Sequence, residues 1–190
     1  MSSRRPGGDK AIKDYDEAIR LDPKDAEAFV YRGITWKEKG ELDKAFKDFD
    51  EAIRLDPKDA WAFVNRGMAR HKKKEYDKAL KDYDKAIGLD PKDAEAFVNR
   101  AWLCATCPEE KYRNGKKAVE SARRACELTG WKDASYIDAL AAAHAEAGNF
   151  DEAVKWQKKA LEFSGLDDEV ATEYRKRLKL YEGRKPYRQE

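Results

Sequence analysis

The stretch "DYDEAIRLDPKDAEAFVYRG", residues Asp14–Gly33, returns almost unchanged twice further along the chain. It becomes "DFDEAIRLDPKDAWAFVNRG" over Asp48–Gly67 and "DYDKAIGLDPKDAEAFVNRA" over Asp82–Ala101. The copies begin at positions 14, 48 and 82, so that successive copies are 34 residues apart. A period of this length is typical of stacked helical hairpins and not of a catalytic domain.

The composition of the 190 residues limits both the fold and the partners of the chain. Charged residues make up 41% and aromatic residues 11%, which is too aromatic for a disordered chain and too charged for a thick globular core. A repeat array satisfies both limits, because each repeat is a thin layer with a large solvated surface. Forty basic and thirty-eight acidic residues leave a net charge of +2, so we predict no nucleic-acid or membrane partner. Three cysteines and no targeting segment favour a cytoplasmic protein.

The repeat unit predicts two helices for every copy. The first helices are expected to begin at Ala26, Ala60 and Ala94. Each second helix closes at "LDPKD", where proline cannot continue a helix and Asp59 or Asp93 can cap the next one. Gly33 falls on the same side of its helix as Phe29 and Trp36, and it predicts a close approach of two helix backbones.

This pattern of small residues and prolines resembles the tetratricopeptide repeat (TPR). The matching positions are Gly33, Gly40, Ala45, Ala52 and Pro57 in one repeat and Gly67, Ala79, Ala86 and Pro91 in the next. Lys74 departs from the pattern, because the family has a glycine between the helices at that position. The resemblance implies an all-α fold, a right-handed superhelical solenoid of antiparallel helix pairs with a C-terminal capping helix. The last repeats resemble the closing module of TPR arrays in some environmental bacteria, which indicates a bacterial type with a divergent C-terminal repeat.

The repeat also divides the chain into segments. They are a flexible leader (1–8), a half repeat (9–25), full repeats (26–59, 60–93, 94–133 and 134–165), a capping helix (166–182) and a tail (183–190). The repeat 94–133 contains an insertion, and Pro108–Lys116 is predicted to be a mobile surface loop. The half repeat lacks the helix that would cover its apolar stripe, so we predict a weak homodimer through this segment. The stripe contains Ala11, Ile12, Tyr15, Ala18 and Ile19.

Three arginines are predicted on the packing side of their helices, where an unpaired guanidinium would be costly. They are Arg32, Arg66 and Arg100, and an aspartate precedes each of them at Asp14, Asp48 and Asp82. Pairing within one repeat would leave Arg100 opposite Ser121, whereas pairing to the preceding helix gives every arginine a carboxylate. We therefore predict an inter-repeat ladder of ion pairs that fixes the stacking register. A row of ligand-binding arginines is the alternative.

The opposite side of the first helices is the expected concave surface, because TPR arrays curl with these helices inward. Its apolar, aromatic and amide side chains predict a groove that binds a peptide or a segment of a partner protein. The predicted groove residues are Val30, Tyr31, Ile34, Trp61, Val64, Asn65, Met68, His71, Asn99 and Trp102. The alternative is that a duplicated repeat carries these residues along and that they touch the neighbouring repeat.

The sequence predicts a protein-interaction scaffold and no enzyme. Cys104, Cys107, Cys126 and His144 are the only soft ligands near the insertion, but their spacing is not that of a zinc finger. Small buried cysteines are therefore the preferred interpretation, and no metal site is predicted. The sequence contains no glycine-rich phosphate loop and no nucleophile–base arrangement, and no cofactor is predicted. The alternative function is a structural module that assembles with other copies through exposed ends of the array.

Overall fold

The computed structural model describes residues 7–189, which form ten α-helices and one short 3-10 helix, with no strand among them. The α-helices are α1 (Gly7–Leu21), α2 (Ala26–Glu38), α3 (Leu42–Leu55), α4 (Ala60–Lys72), α5 (Tyr76–Leu89), α6 (Ala94–Thr106), α7 (Gly115–Leu128), α8 (Ala134–Glu146), α9 (Phe150–Leu161) and α10 (Asp168–Glu182). The first six residues of the predicted leader lie outside the described part of the chain, and Gly7 and Gly8 already belong to α1. The described chain is all-α, as predicted.

The helices form two compact units, with the boundary between Pro91 and Lys92. Unit 1 contains α1 to α5, and unit 2 contains α6 to α10. In unit 1, each first helix packs against the second helix that follows it, so that α2 pairs with α3 and α4 pairs with α5. In unit 2 the pairs are α6 with α7 and α8 with α9, and α10 packs against α9. Each unit is therefore a stack of helix hairpins, and α10 covers the last hairpin of unit 2.

Aspartates of the "LDPKD" turns cap the first helices, as the sequence predicts. The carboxylate of Asp59 accepts a hydrogen bond from the backbone N–H of Trp61 at 2.9 Å, and Asp93 accepts one from Glu95 at 2.8 Å. Asp25 caps α2 in the same way, through the N–H of Ala28 at 3.0 Å. These bonds satisfy backbone donors that have no partner within the helix.

The glycines of the first helices make room for an aromatic ring and not, as predicted, for another backbone. A Cβ atom added to Gly33 would lie 2.7 Å from a ring carbon of Phe49, and one added to Gly67 would lie 2.6 Å from Tyr83. Both rings are fully buried. The third copy of the repeat carries Ala101 instead of glycine, and there the second helix has the small Ala122 at the position of the ring. The glycine is therefore needed only where the facing residue is aromatic.

The arginines of unit 1 pair with different aspartates from those that the sequence analysis selected. Arg32 forms a two-pronged contact with Asp48, at 2.9 Å from Nε and 2.6 Å from Nη2, and its Nη1 donates to Asp16 at 2.7 Å. Arg66 repeats the arrangement with Asp82, at 3.0 and 2.7 Å, and with Asp50 at 2.7 Å. The strongly buried partner therefore belongs to the second helix of the same repeat.

The predicted pairs Arg32–Asp14 and Arg66–Asp48 are wrong. Asp14 is exposed, whereas Asp48 is only 5% exposed and is held by Arg32. The contact to the preceding second helix does exist, but Asp16 makes it, two residues further along α1. Two residues correspond to about 200° of rotation around a helix, so the sequence argument placed this bond on the wrong side of α1.

Unit 2 uses a hydroxyl where unit 1 uses a carboxylate. Arg100 donates through Nε to the Oγ atom of Ser121 at 3.1 Å, and this hydroxyl itself donates to the carbonyl of Lys117 at 2.6 Å. Asp82, the partner predicted for Arg100, binds Arg66 and Arg70 within unit 1. Arg100 pairs within its own repeat, which is the possibility that the sequence analysis rejected.

The insertion forms polar contacts that the sequence analysis did not predict. It contains a 3-10 helix over Glu110–Tyr112, followed by Arg113, whose Nη1 donates to the carbonyls of Cys107 and Pro108 at 3.1 and 3.2 Å. Arg113 also pairs with Glu146 of α8 at 3.1 Å. Pro108 and Lys111 are exposed, as expected of a surface loop, and the mobility of the segment stays a prediction.

We expect the Arg32–Asp48 pair to show strong energetic coupling. Arg32→Met should lower the free energy of unfolding by about 3 kcal/mol, because it leaves a buried carboxylate without its partner. Adding Asp48→Leu should recover part of this loss, with a coupling energy above about 1 kcal/mol in a double-mutant cycle followed by urea unfolding. The matched control is Asp14→Leu, which should not couple to Arg32→Met. Coupling to Asp14 as strong as that to Asp48 would contradict the observed pairing.

Lys74 offers a second test of the fold, because its φ of 62° lies in the left-handed region that favours glycine. Gly40 occupies the corresponding turn of the preceding repeat with a φ of 80°. Lys74→Gly should therefore raise the free energy of unfolding by about 1 kcal/mol. The reciprocal change Gly40→Lys should lower it by a similar amount, and urea unfolding measures both. A loss of stability in Lys74→Gly would show that the lysine side chain stabilises the turn.

Candidate functional site

An aromatic row runs from α1 across the first helices α2 and α4 of unit 1. The rings of Tyr15 and Tyr31 are stacked with centroids 5.8 Å apart, and Tyr31 meets Trp61 edge to face at 5.0 Å. Tyr31 is 38% exposed, which is unusual for a large apolar side chain in this protein, and Trp61 is half-buried. Stacked rings hold one another in place, so the row presents a rigid apolar surface.

Polar groups border this row on α2 and α4. The ammonium group of Lys37 donates to the side-chain oxygen of Asn65 at 2.8 Å and lies 3.8 Å from the sulfur of Met68. The amide nitrogen of Asn65 donates to the carbonyl of Trp61 at 3.0 Å. Asn65 is only 4% exposed, so its amide group orients Lys37 instead of facing a ligand.

We define the first-helix face of unit 1 as the part-exposed residues that remain of the predicted groove on α2 and α4. These residues are Tyr31, Ile34, Trp61, Met68 and His71. Ile34 and Trp61 also pack against the buried cluster around Phe49, whereas the ring of His71 contacts Tyr76 of α5 at 5.7 Å. Tyr31 and Met68 therefore offer the side chains that are least involved in the core.

The structure removes Val30 and Val64 from the predicted groove, because both are completely buried. Val30 belongs to the apolar cluster of unit 1, together with Ala45, Phe49 and Ala62. The helical periodicity of α2 alone could not reveal the burial of Val30, because the neighbouring first helix α4 packs against this residue. Val30 shares its buried cluster with Ala62 of α4, so for this valine the alternative interpretation, contact with the next repeat, is the correct one.

The groove residues predicted in unit 2 are already engaged. The amide nitrogen of Asn99 donates to the carbonyl of Glu95 at 2.9 Å. Trp102 contacts two residues that are distant in sequence. They are Arg177 of α10 and Tyr187 of the segment after α10. The guanidinium carbon of Arg177 lies 5.4 Å from the Trp102 ring centroid, and the Tyr187 centroid lies 6.0 Å away. The predicted tail therefore packs on the first-helix side of unit 2.

A buried ion pair, which the sequence analysis missed, supports this contact. Arg177 donates to the carboxylate of Asp138 in α8 at 2.9 Å, and Gln157 of α9 donates to the same oxygen at 2.8 Å. All three side chains are buried, and desolvation raises the pKa of the Asp138 carboxyl in spite of the opposing effect of Arg177. The contact joins three helices of unit 2. These residues lie outside the near-identical copies, so no repetition marked them in the sequence.

The cysteines are placed as small core residues. Cys104, Cys107 and Cys126 are all buried and lie outside any disulfide, and burial raises the pKa of Cys126 to about 12. Such a thiol stays protonated at neutral pH and is a poor nucleophile or metal ligand. Within residues 7–189, no three side chains of His, Cys, Asp or Glu come together in a way that could hold a metal ion.

Comparisons with known proteins agree with the hairpin architecture. Two models of the tetratricopeptide repeat match residues 60–93 and 134–164, and a TPR repeat model matches residues 36–74. A comparison with curated proteins finds no match. None of the helices in the described range is both long enough and apolar enough to cross a membrane.

Several solved structures share the fold. MamA is 25% identical, with 82% of this chain and 87% of that chain covered and a TM-score of 0.68. YrrB, a TPR protein with an unusual peptide-binding site, is 22% identical, with 90% and 84% covered and a TM-score of 0.67. TTC0263, a thermophilic TPR protein of Thermus thermophilus, is 22% identical, with 89% of each chain covered and a TM-score of 0.70.

The matched repeats and the shared fold define an all-α repeat protein of the interaction-scaffold class. The chain is a tetratricopeptide repeat protein. Proteins built from this repeat generally bind protein or peptide partners, and they are typically not enzymes.

Burial of His144 makes the stability of the protein sensitive to pH. Both ring nitrogens are buried without a hydrogen-bond partner, and desolvation lowers the pKa of the imidazole, although Glu152 opposes this effect. The unfolded chain therefore binds a proton near pH 6.5 that the folded chain binds only at lower pH. Neutral His144 makes its full contribution to the free energy of unfolding above about pH 6.5. This contribution is lost as the pH falls through the lower pKa of the folded state.

We expect His144→Leu to reduce this pH dependence. In the wild type, each pH unit of this window should remove up to about 1.4 kcal/mol from the free energy of unfolding. The variant should lose less stability between pH 7.5 and 5.5, as measured by urea unfolding at each pH. An equal loss of stability in both proteins would show that His144 binds its proton as readily in the folded state as in the unfolded state.

Proposed function

We propose that this protein is an interaction scaffold that binds an exposed segment of a partner protein on the first-helix face of unit 1. The observation that carries the proposal is the aromatic row, in which Tyr31 remains 38% exposed beside Trp61. Large apolar side chains lose free energy when they face water, and exposed aromatic residues are common anchors of protein interfaces. The described peptide-binding site of YrrB supports a peptide as the ligand class for this fold.

The neighbouring side chains specify the chemistry of the ligand. Met68 is flexible and polarisable, so it adapts to apolar side chains of different shapes. Lys37 brings a positive charge next to Met68, held in position by Asn65. A segment with an apolar or aromatic residue over Tyr31 and an acidic residue or backbone carbonyl near Lys37 fits this surface best.

A random peptide library displayed on phage tests the proposal without knowledge of the natural partner. Peptides selected on the wild-type protein should bind the double variant Tyr31→Ser, Met68→Ser at least about tenfold more weakly, since each change removes an anchor worth about 1 kcal/mol or more. The selected peptides should share an apolar or aromatic position. Fluorescence anisotropy with a labelled copy of each peptide gives the affinities.

The matched control is Leu21→Ser, which removes an apolar side chain that is 68% exposed outside the first-helix face. This variant should bind the selected peptides like the wild type. Circular dichroism verifies that all three proteins keep their helical content. Peptides that bind the Tyr31→Ser, Met68→Ser protein as tightly as the wild type would refute this site.

Assembly with a second copy through α1 is a second candidate function. Ile12 is buried, but Tyr15, Ala18 and Ile19 of the same stripe are only half-buried, and Leu21 is largely exposed. A second copy that covered this surface would bury apolar area that now faces water. The weak homodimer stays a prediction. It differs from peptide binding in that the molecular mass should rise with protein concentration when no ligand is added.

A further inference from the structure

The segment that follows α10 is bound in a site of unit 2. Arg188 donates through Nη1 to the carbonyl of Ala105 at 3.3 Å, and its Nη2 lies 2.6 Å from a carboxylate oxygen of Glu146. The backbone N–H of Gln189 donates to the carbonyl of Thr106 at 2.9 Å. We call the residues that receive the segment the acceptor site. They are Trp102, Ala105 and Thr106 of α6, Glu146 of α8 and Arg177 of α10.

The end of α6 explains why a cationic segment binds there. The last carbonyls of a helix have no partner within the helix, and they carry the negative end of its dipole. The N–H of Asn114 satisfies the carbonyl of Cys104 at 2.9 Å, but the next two carbonyls receive their donors from the bound segment. Both belong to buried residues, and Glu146 adds a negative charge beside them. Such acceptors need a donor other than bulk water.

An aromatic platform stands next to these acceptors. The Tyr187 ring lies against Trp102, and the guanidinium carbon of Arg177 is 5.3 Å from the Tyr187 centroid. The buried pair with Asp138 holds Arg177 in place, and it involves no residue of the segment. The platform is therefore organised before a ligand arrives, which lowers the entropy lost on binding.

We propose that the acceptor site binds an extended peptide of a partner protein in which an aromatic residue is followed by arginine, and that residues 186–189 occupy it as a displaceable internal copy of this ligand. The ring lies on Trp102 and Arg177, the guanidinium contacts Glu146 and the end of α6, and a backbone N–H donates to Thr106. No residue is shared with the first-helix face of unit 1, so this proposal does not depend on the function proposed for that face.

The geometry allows the internal segment to leave without unfolding the hairpins. Helix α10 ends at Glu182, and the buried side chains of Tyr174, Arg177 and Tyr181 hold it in unit 2. The side chain of Arg188 remains 33% exposed, and Lys185 is exposed. A tethered segment has a high effective concentration, so an external peptide must compete with it. The segment therefore excludes weak ligands from the site.

A fluorescein-labelled peptide with the sequence of residues 183–189, "GRKPYRQ", tests this competition. Its affinity is measured by fluorescence anisotropy for the full-length wild type and for the full-length double variant Tyr187→Ala, Arg188→Ala. The variant should bind the peptide at least about tenfold more tightly, because its own segment no longer competes. The matched control Lys185→Ala should bind like the wild type. A labelled peptide with alanine in place of both tyrosine and the arginine after it should bind to none of the proteins.

Equal affinities of the wild type and the double variant would overturn the proposal, and so would a folded double variant that does not bind the peptide. Hydrogen exchange on the wild type provides a test that needs no folded variant. Excess unlabelled peptide should speed amide exchange in residues 183–189, whereas a peptide of scrambled sequence should not, and unchanged exchange would refute displacement. A wild-type dimer that becomes monomeric in the double variant would place the segment in a second copy, and would overturn internal occupancy.

Discussion

The need to neutralise a part-buried guanidinium organises the repeats of unit 1. Arg32 and Arg66 each extend from a first helix into the space between two second helices, where their side chains are mostly shielded from water. Each is held by a buried carboxylate of its own repeat and by an exposed carboxylate of the preceding one. The planar five-donor geometry of arginine makes this threefold contact possible, and lysine could not reproduce it. Hairpin closure and hairpin stacking are therefore coupled through one side chain.

Unit 2 solves the same electrostatic problem differently. Its first arginine, Arg100, donates to the serine hydroxyl of Ser121 within the repeat, and a buried ion pair joins Asp138 and Arg177. That pair joins α8 to α10 and takes Gln157 from α9 as a third member. The covering helix is thus anchored by a charge at its centre as well as by apolar burial. Because the same arginine also faces Trp102 and Tyr187, the stability of unit 2 and the occupation of its acceptor site involve the same residue.

Periodicity accounts for what could be predicted from the sequence. Copies such as Asp14–Gly33 repeat the caps, the turns and the small residues, so the helices and the fold family could be predicted from one chain. Contacts between helices are harder to predict from the sequence, because more than one aspartate lies within the same helical turn. The error at Asp14 is of this kind. Burial of Val30 depends on how closely the first helices α2 and α4 pack, which no single-helix pattern contains. The segment around Tyr187 has no repeated counterpart, so its position could be found only in three dimensions.

The spacing of the arginine contacts has a consequence for how such an array can change length. Arg66 contacts Asp50 and Asp82, which lie 16 residues before and 16 residues after it, and Arg32 uses Asp16 and Asp48 in the same way. One carboxylate lies in the same repeat as the arginine and the other lies in the preceding repeat. A copied repeat inserted at an "LDPKD" turn would bring its own equivalents of Asp50 and Arg66, so every arginine would again have one carboxylate on each side. Evolution can thus lengthen this part of the chain by simple duplication of a gene segment, without any compensating substitution.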